Sequence, residues 1–305
     1  MSIFSSGQTL AIIDWGAQRY KAFLLKKATL VDSKTGDQGV LQIKDGAFEA
    51  ALKAMVDPWL ATHGEFPIIL TGLVGAREGW VEAASVRTPC THTDIQQGMV
   101  QVATNQLKNV AIIPGVLHTG NDYPEALRGE EVCIVGTQIS DGWILRPGEH
   151  TKLVRVNDNS ITQLTTYITG ELYRLLDEQS SLCWYTGRCH GGVEQKMSPI
   201  DFMTGVRTSL KAGCLSRVLY SVSTRRLFNQ IEVEHISSYL SGLVIGHEFR
   251  DIKAMGLDDI TLVGSGPLME LYQLAFEEMS IHSELMDAQQ AYLAGVQLIL
   301  ESAAA

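Results

Sequence analysis

The most constraining feature of the sequence is a pair of short apolar runs joined by a carboxylate and a glycine. Residues 10–13 are followed at once by Asp14, Trp15 and Gly16, and a second apolar run covers residues 22–25. Two such runs separated by turn-forming residues predict a β-hairpin, and the glycine lets a ligand approach the backbone. A carboxylate at the tip of a buried strand needs a partner. That partner is either its own turn or a hydrated cation that carries phosphate oxygens.

Length and composition describe an ordinary globular protein. The chain has 305 residues, which suits two domains of about 150 residues, and 45% of them are hydrophobic and 19% charged. The formal net charge of −10 argues against a general nucleic-acid-binding protein, because clustered Lys and Arg bind phosphate backbones. No signal peptide is recognisable, and no apolar run approaches the roughly 20 residues of a membrane helix. We expect a cytoplasmic protein with no nucleic-acid or membrane partner.

The five cysteines are scattered and odd in number, so they do not indicate a disulfide framework. Cys189 and His190 are adjacent, but they have no second His/Cys pair nearby and do not favour a zinc site. We expect reduced structural thiols.

The first half alternates predicted strands and helices. Strands are predicted at residues 66–70 and 110–113, and both run into glycine-containing turns, at Gly72 and Gly115. Helices are predicted at residues 46–60 and 95–107. This order is typical of an α/β sheet whose ligands lie at the strand ends.

Glu130 and Glu131 open another predicted helix. From the residues alone, acidic side chains in a first helical turn are explained best by the helix dipole. The alternative is that one of them accepts a proton or orients a nucleophile.

The second half repeats the pattern of the first. Strands at residues 142–145 and 152–156 flank a turn at 146–150, and a strand at 260–263 runs into Gly264, Ser265 and Gly266. A helix with Thr169 as its cap is predicted from residue 169, and further helices at 198–210, 233–249, 268–279 and 288–299. We therefore predict a duplicated α/β architecture with an N-terminal lobe of residues 1–139, a C-terminal lobe of 140–305, and an interdomain cleft.

Seven motifs occur in order along the chain. They are IDWG at 13–16, TGLVG at 71–75, IIPG at 112–115, LRGEE at 127–131, PGxHxK at 147–152, TGEL at 169–172 and LSGLxIGxE at 240–248. Together they make the chain resemble the 2-dehydro-3-deoxygalactonokinase family, sugar-acid kinases of the actin-like ATPase, or hexokinase-type, superfamily. The resemblance implies a two-lobed ribonuclease-H-like fold. It also implies transfer of the ATP γ-phosphate to the 6-hydroxyl of 2-dehydro-3-deoxy-D-galactonate.

The resemblance also implies roles for individual residues. Asp14 would organise Mg²⁺, usually through water, and Gly16 and Ala17 would face the phosphate tail. The remaining nucleotide contacts would come from Gly148, His150 and Lys152 on the phosphates and from Gly264, Ser265 and Gly266 on the adenosine side.

On the substrate side, the resemblance makes Glu130 the first choice for the carboxylate that orients the nucleophile, with Glu131 and Asp122 behind it. Arg128 is the cation best placed by sequence for the carboxylate of the sugar acid, with Arg77 and Lys152 as alternatives. Arg128 could equally pair with a neighbouring Glu. Closure of the lobes over the ligands is expected, since phosphoryl transfer requires exclusion of water.

The chain departs from the family pattern in its phosphate turns. Ala17 and Gln18 follow DWG where Ser or Thr is usual, Lys21 replaces an Arg, and an Arg usual in the region of 219–223 is missing, with Arg225 and Arg226 nearby. Glu149 replaces the Thr of PGTH. Its charge would be offset by a metal, by Lys152 or by Lys21.

Two functions therefore stand. The first is an active sugar-acid kinase with altered phosphate-binding turns. The second is a catalytically degenerate relative that binds a sugar acid or nucleotide as a sensor or partner protein. An acetyl- or polyphosphate-handling relative ranks lower, and the sequence leaves open whether the chain is a homodimer.

Overall fold

The computed structural model describes residues 9–120, 122–187 and 194–301. The chain forms two compact units. The first contains the described residues up to 141 together with Val154–Leu164 and the residues from 288 onward. The second contains Gly142–Leu153 and the described part of Thr165–Asp287. The lobes predicted at 1–139 and 140–305 stay a prediction, and these units differ from them by the two later segments that belong with the first.

In chain order the strands are β1 (Thr9–Trp15), β2 (Tyr20–Lys26), β3 (Thr29–Gly36), β4 (Ile68–Gly72), β5 (Val86–Arg87), β6 (Val100–Val102), β7 (Val110–Ile112), β8 (Val116–His118), β9 (Glu125–Leu127), β10 (Gly142–Arg146), β11 (Thr151–Asn157), β12 (Ser160–Tyr167), β13 (Asp259–Gly264) and β14 (His282–Asp287). The helices are α1 (Phe48–His63), α2 (His92–Gln97), α3 (Glu130–Gly136), α4 (Thr169–Gln179), α5 (Cys183–Thr186), α6 (Pro199–Lys211), α7 (Leu215–Leu219), α8 (Ser221–Leu227), α9 (Ile236–Ala254), α10 (Pro267–Glu278) and α11 (Ala288–Glu301).

The two main sheets share one strand order. The first is β3-β2-β1-β4-β7-β6 and the second is β12-β11-β10-β13-β14, so the first five positions correspond one to one. The parallel pairs correspond as well, with β1–β4 and β4–β7 in the first sheet and β10–β13 and β13–β14 in the second. A third sheet has the order β5-β8-β9. The internal duplication predicted from the repeated strand, turn and strand pattern is therefore present in the topology.

The opening hairpin forms as predicted. β1 and β2 pair antiparallel with Asp14 opposite Lys21, and β4 lies parallel to β1 on its other side with Thr71 beside Asp14. Residues 11–13 and Trp15 are completely buried, because β1 is a central strand covered on both faces. Helix α1 covers one of these faces, and its Phe48 ring lies 5.9 Å from that of Trp15.

The helix predicted at residues 95–107 is wrong. Helix α2 begins earlier, at His92, because Thr91 and Asp94 form a capping box. The Thr91 hydroxyl accepts a hydrogen bond from the Asp94 amide, and the Asp94 carboxylate accepts one from the Thr91 amide. It ends at Gly98, and residues 100–102 form β6, which pairs antiparallel with β7. The sheet edge therefore overrides a short apolar pattern that sequence alone could not assign.

Two further local predictions need correction. Thr169 is not the cap of α4, because Ile168 occupies that position and the Thr169 hydroxyl binds Glu248 instead. Cys183 is disulfide-bonded, so the expectation of reduced thiols fails there, whereas Cys90, Cys133 and Cys214 are reduced thiols. Cys189 and His190 lie outside the described residues. Within the described parts of the chain, no helix has the length and apolar character needed to cross a membrane.

Candidate active site

Asp14 stands at the carboxyl end of a central strand. Its side chain is half-buried, and the next residue of β1, Trp15, is completely buried. Parallel neighbours β4 and β7 end at the same edge of the sheet, where α/β proteins place their ligands. The strand order therefore puts the predicted metal-organising carboxylate in a position typical of a ligand site.

Two glycines form a close cradle around Asp14. Gly72 and Gly129 both have positive φ angles, +89° and +103°. A Cβ atom added to Gly72 would lie 3.2 Å from Asp14 Oδ1 and 2.8 Å from the Trp15 carbonyl oxygen, and one added to Gly129 would lie 3.3 Å from Asp14 Oδ1. Side chains at these positions would push on the carboxylate, so the glycines fix its place.

The two carboxylates of α3 lie in different environments. Glu130 is half-buried, and its Oε2 accepts a hydrogen bond of 2.7 Å from the Arg128 amide. Glu131 is completely buried, and both of its oxygens accept from the Gly129 amide at 2.9 and 2.7 Å. Burial, together with the negative charges of Glu130 and Asp14, raises the pKa of Glu131 to about 8. The structure thus brings Asp14, Glu130 and Glu131 into one electrostatic cluster.

A buried hydroxyl pair lies beside this cluster. The Thr71 and Tyr292 hydroxyls are 2.6 Å apart, and both side chains are buried. Burial raises the pKa of Tyr292 well above its usual value, and the negative charge of Asp14 acts in the same direction. The phenol therefore stays protonated and can donate.

The first turn holds Gly16 and Ala17 by their backbone. The Gly16 amide donates to the Arg19 carbonyl at 2.9 Å. The carbonyls of Gly16 and Ala17 accept from the amides of Val40 and Leu41 at 2.9 and 3.1 Å. The turn expected to face phosphate is thus fixed by the segment after β3.

The candidate substrate residues differ in how firmly they are held. Arg128 is half-buried, and its Nη1 lies 3.4 Å from the Gly75 carbonyl oxygen that accepts from it. Arg77 and Asp122 are exposed. Arg128 therefore contacts the turn that follows β4 through its side chain and the first residue of α3 through its amide.

In the second unit, the turn at residues 147–150 rests on the start of α4. Glu149 Oε1 lies 3.3 Å from Arg174 Nε, and His150 Nε2 lies 2.8 Å from Glu171 Oε2. A Cβ atom added to Gly170 would lie only 2.3 Å from the Gly148 carbonyl oxygen. The partner found for Glu149 is therefore Arg174, which the sequence did not suggest.

Lys152, a predicted phosphate-binding residue, is buried in the second unit. Only 6% of it is exposed, and its Nζ donates to Thr166 Oγ1 at 3.1 Å. Lys152 is the second residue of β11, so its backbone directly follows the turn at 147–150.

The third candidate turn caps α10. Gly264 ends β13, Gly266 has a φ of +88°, and Pro267 is the first residue of the helix. The Ser265 hydroxyl donates to Asp287 Oδ2 at 2.7 Å, which links the turn to the end of β14. Gly264, Ser265 and Gly266 thus lie at the carboxyl edge of the second sheet.

Comparison with known proteins identifies the family of this chain. The family model for 2-keto-3-deoxy-galactonokinase matches residues 14–299, and the match begins at Asp14. The chain belongs to this family. The 2-dehydro-3-deoxygalactonokinase of Escherichia coli (strain K12) is 27% identical over 296 residues, which cover 96% of this chain and 97% of that relative.

Solved structures of kinases share the fold of this family member. A Sinorhizobium meliloti protein with the provisional name 2-dehydro-3-deoxygalactonokinase superposes with a TM-score of 0.85 at 24% identity, covering 96% of this chain and 99% of that one. Xylulose kinase from Lactobacillus acidophilus gives a TM-score of 0.53 at 10% identity, covering 97% of this chain and 89% of that one. The predicted duplicated α/β fold is confirmed. The interdomain cleft stays a prediction.

The acidic cluster fits a magnesium ion that arrives with phosphate. Among the residues that the structure describes, no group of three or more His, Cys, Asp or Glu side chains forms a metal cage. Mg²⁺ keeps several waters and needs only one or two protein carboxylates when phosphate oxygens supply other ligands. The charges of Asp14 and Glu130, which act on buried Glu131, make this position favourable for a cation.

Sequence reasoning missed Thr71, Tyr292 and Arg174. Tyr292 is 221 positions from its partner Thr71 in the chain, and no local pattern connects them. Arg174 carried a signal, because it lies on the helix opened by the TGEL motif, where a cation can reach back to the preceding turn.

Proposed function

We propose that this kinase family member transfers the γ-phosphoryl group of ATP to the 6-hydroxyl of 2-dehydro-3-deoxy-D-galactonate or a similar 2-keto-3-deoxy sugar acid. The observation that carries the proposal is the cluster of Asp14, Glu130 and Glu131 at the carboxyl edge of the first sheet, in a chain whose family match spans residues 14–299. Family membership supports ATP as the phosphoryl donor.

The proposed chemistry needs few groups. The substrate hydroxyl loses its proton to a carboxylate, its oxygen forms a bond to the γ-phosphorus, and the bond from that phosphorus to the oxygen of ADP breaks. Glu130 is the proposed base, because it is only half-buried, whereas Glu131 is sealed from solvent. Magnesium neutralises the phosphate charge, and Asp14 would hold it through water.

Arg128 is the proposed partner of the substrate carboxylate. Its guanidinium suits a planar carboxylate, and its neighbours Gly129 and Glu130 lead directly into α3. A cytoplasmic location, a homodimer and closure of the lobes stay predictions.

The test is ADP release from Mg-ATP with a panel of 2-keto-3-deoxy sugar acids. We expect turnover with at least one acid, loss of turnover in Asp14→Asn, and a drop of at least about a hundredfold in Glu130→Gln. Asp57→Asn is the matched control, since Asp57 is a half-buried carboxylate paired with Lys53 on α1, away from the acidic cluster. Absence of ADP release with every acid, alongside ligand binding, would favour the degenerate relative. Larger loss in Glu131→Gln than in Glu130→Gln would reassign the base.

A further inference from the structure

A buried carboxylate in the second unit lies behind the candidate nucleotide turns. Glu248 on α9 is 3% exposed, and its Oε2 accepts a hydrogen bond of 2.5 Å from the Thr169 hydroxyl. The hydroxyls of Thr151 and Tyr272 also face this carboxyl and act on its charge, although its Oε1 has no well-formed hydrogen bond. Burial raises the pKa of Glu248 to about 7. A group this costly to bury calls for an explanation beyond packing.

The first contact of Glu248 leads to the turn at residues 147–150. Thr169 is followed by Gly170, whose backbone lies so close to the Gly148 carbonyl that a Cβ atom would come within 2.3 Å of it. The next amide, that of Glu171, donates to the Glu149 carbonyl at 3.0 Å. A shift of Thr169 would therefore move the backbone on which the turn rests.

The other two hydroxyls belong to elements next to the same two turns. Thr151 is the first residue of β11, directly after the turn at 147–150. Tyr272 lies on α10, six positions after Gly266. One carboxyl thus connects the start of α4, the start of β11 and the first part of α10.

We propose that Glu248 is a positioning residue. It fixes the position of the turn at 147–150 relative to the turn at 264–266, so that the first can bind nucleotide phosphate and the second adenosine. This inference rests on the proposed kinase function. Glu248 does not touch the nucleotide in this role. It acts through Thr169, Thr151 and Tyr272, and its removal weakens nucleotide binding more than it slows the chemical step.

The test is calorimetric titration of the full chain with Mg-ATP, which requires no sugar acid. We expect the dissociation constant to rise about tenfold in Glu248→Leu and about threefold in Thr169→Val, because small displacements of binding groups are costly. Glu248→Gln keeps an acceptor for Thr169 and stays within about twofold of the wild type. In turnover assays, the same variants raise KM for ATP while kcat changes by less than about threefold.

Ser237→Ala is the matched control. It removes a buried hydrogen bond of 2.7 Å to Asp177 between the same two helices, α4 and α9, at a distance along them from Thr169. Thermal unfolding shows which variants are folded at the assay temperature, and Thr169→Val provides the result if Glu248→Leu does not fold. Wild-type affinity in both Glu248→Leu and Thr169→Val, or an equal loss in Ser237→Ala, overturns the inference alone. Absence of Mg-ATP binding by the wild type overturns the proposed function together with it.

Discussion

Substitution of Gly72 is the most direct test of how the Asp14 carboxylate is held. The φ and ψ angles of Gly72 are 89° and −152°, a region that only glycine adopts without strain. Gly64, at the end of α1, has nearly the same angles, 73° and −161°, but no atom lies within 4 Å of its added Cβ. A comparison of the single variants Gly72→Ala and Gly64→Ala therefore separates two effects. Both variants have the same backbone strain, but only Gly72→Ala also has a steric contact.

The magnitudes follow from these contacts. Gly64→Ala should lower the free energy of unfolding by about 1–3 kcal/mol, the cost of the strained backbone alone. Gly72→Ala adds contacts of 2.8 Å to the Trp15 carbonyl and 3.2 Å to Asp14 Oδ1, which should cost about 1–3 kcal/mol more. Because Asp14 must also shift, we expect kcat to fall at least about tenfold in Gly72→Ala and to be unchanged in Gly64→Ala.

Urea unfolding and ADP release measure the two effects separately. The reasoning would be refuted if the two variants lost equal stability and Gly72→Ala kept the wild-type kcat. That result would mean that Asp14 is not confined by the glycine cradle.

Three further predictions concern the groups around the turns. Glu131 has a folded-state pKa of about 8 against its usual 4.5, so the folded state holds this proton more tightly. Stability should fall as the pH rises from about 4.5 to 8, by at most about 1.4 kcal/mol per pH unit, and Glu131→Gln should flatten the pH profile of the urea midpoint. Glu149→Thr breaks an exposed pair with Arg174, so we expect a stability change below about 1 kcal/mol. It also removes a negative charge from a turn expected to face phosphate, so we expect tighter Mg-ATP binding by calorimetry. Weaker binding would instead indicate that Glu149 helps to hold the metal. Tyr292→Phe leaves the Thr71 hydroxyl unpaired and should lower the unfolding free energy by about 1–3 kcal/mol in urea, whereas adding Thr71→Val should recover most of the loss; additive losses would contradict the pairing.

The structure changes the interpretation of Glu149 in the second phosphate turn. Glu149 introduced a negative charge where the family has a hydroxyl, and the expected partners were a metal, Lys152 or Lys21. The structure pairs it with Arg174 on α4, and Lys152 lies buried beside Thr166. Arg174 thus offsets part of the extra charge, which weakens one of the two arguments for a catalytically degenerate relative.

The central strands and the duplicated architecture follow from the sequence. The apolar runs at 10–13 and 110–113 are strands in the structure, and so is the run at 142–145. These runs end at Asp14, Pro114 and Arg146 respectively, which stop an apolar pattern, so local propensity and burial agree. The positions of Asp14, Glu130 and Glu131 at strand and helix ends were predictable for the same reason, because these residues lie at the boundaries of apolar patterns.

Only the tertiary structure decided which side chains meet. The helix predicted at 95–107 gave way to β6 because an edge strand gains its hydrogen bonds from β7, which no local pattern reveals. The pairs Thr71–Tyr292 and Thr169–Glu248 join residues 221 and 79 positions apart. Sequence periodicity determines which face of an element is buried. The buried polar contacts, and the pKa shift of Glu131 that depends on them, arise only when distant elements exclude water together.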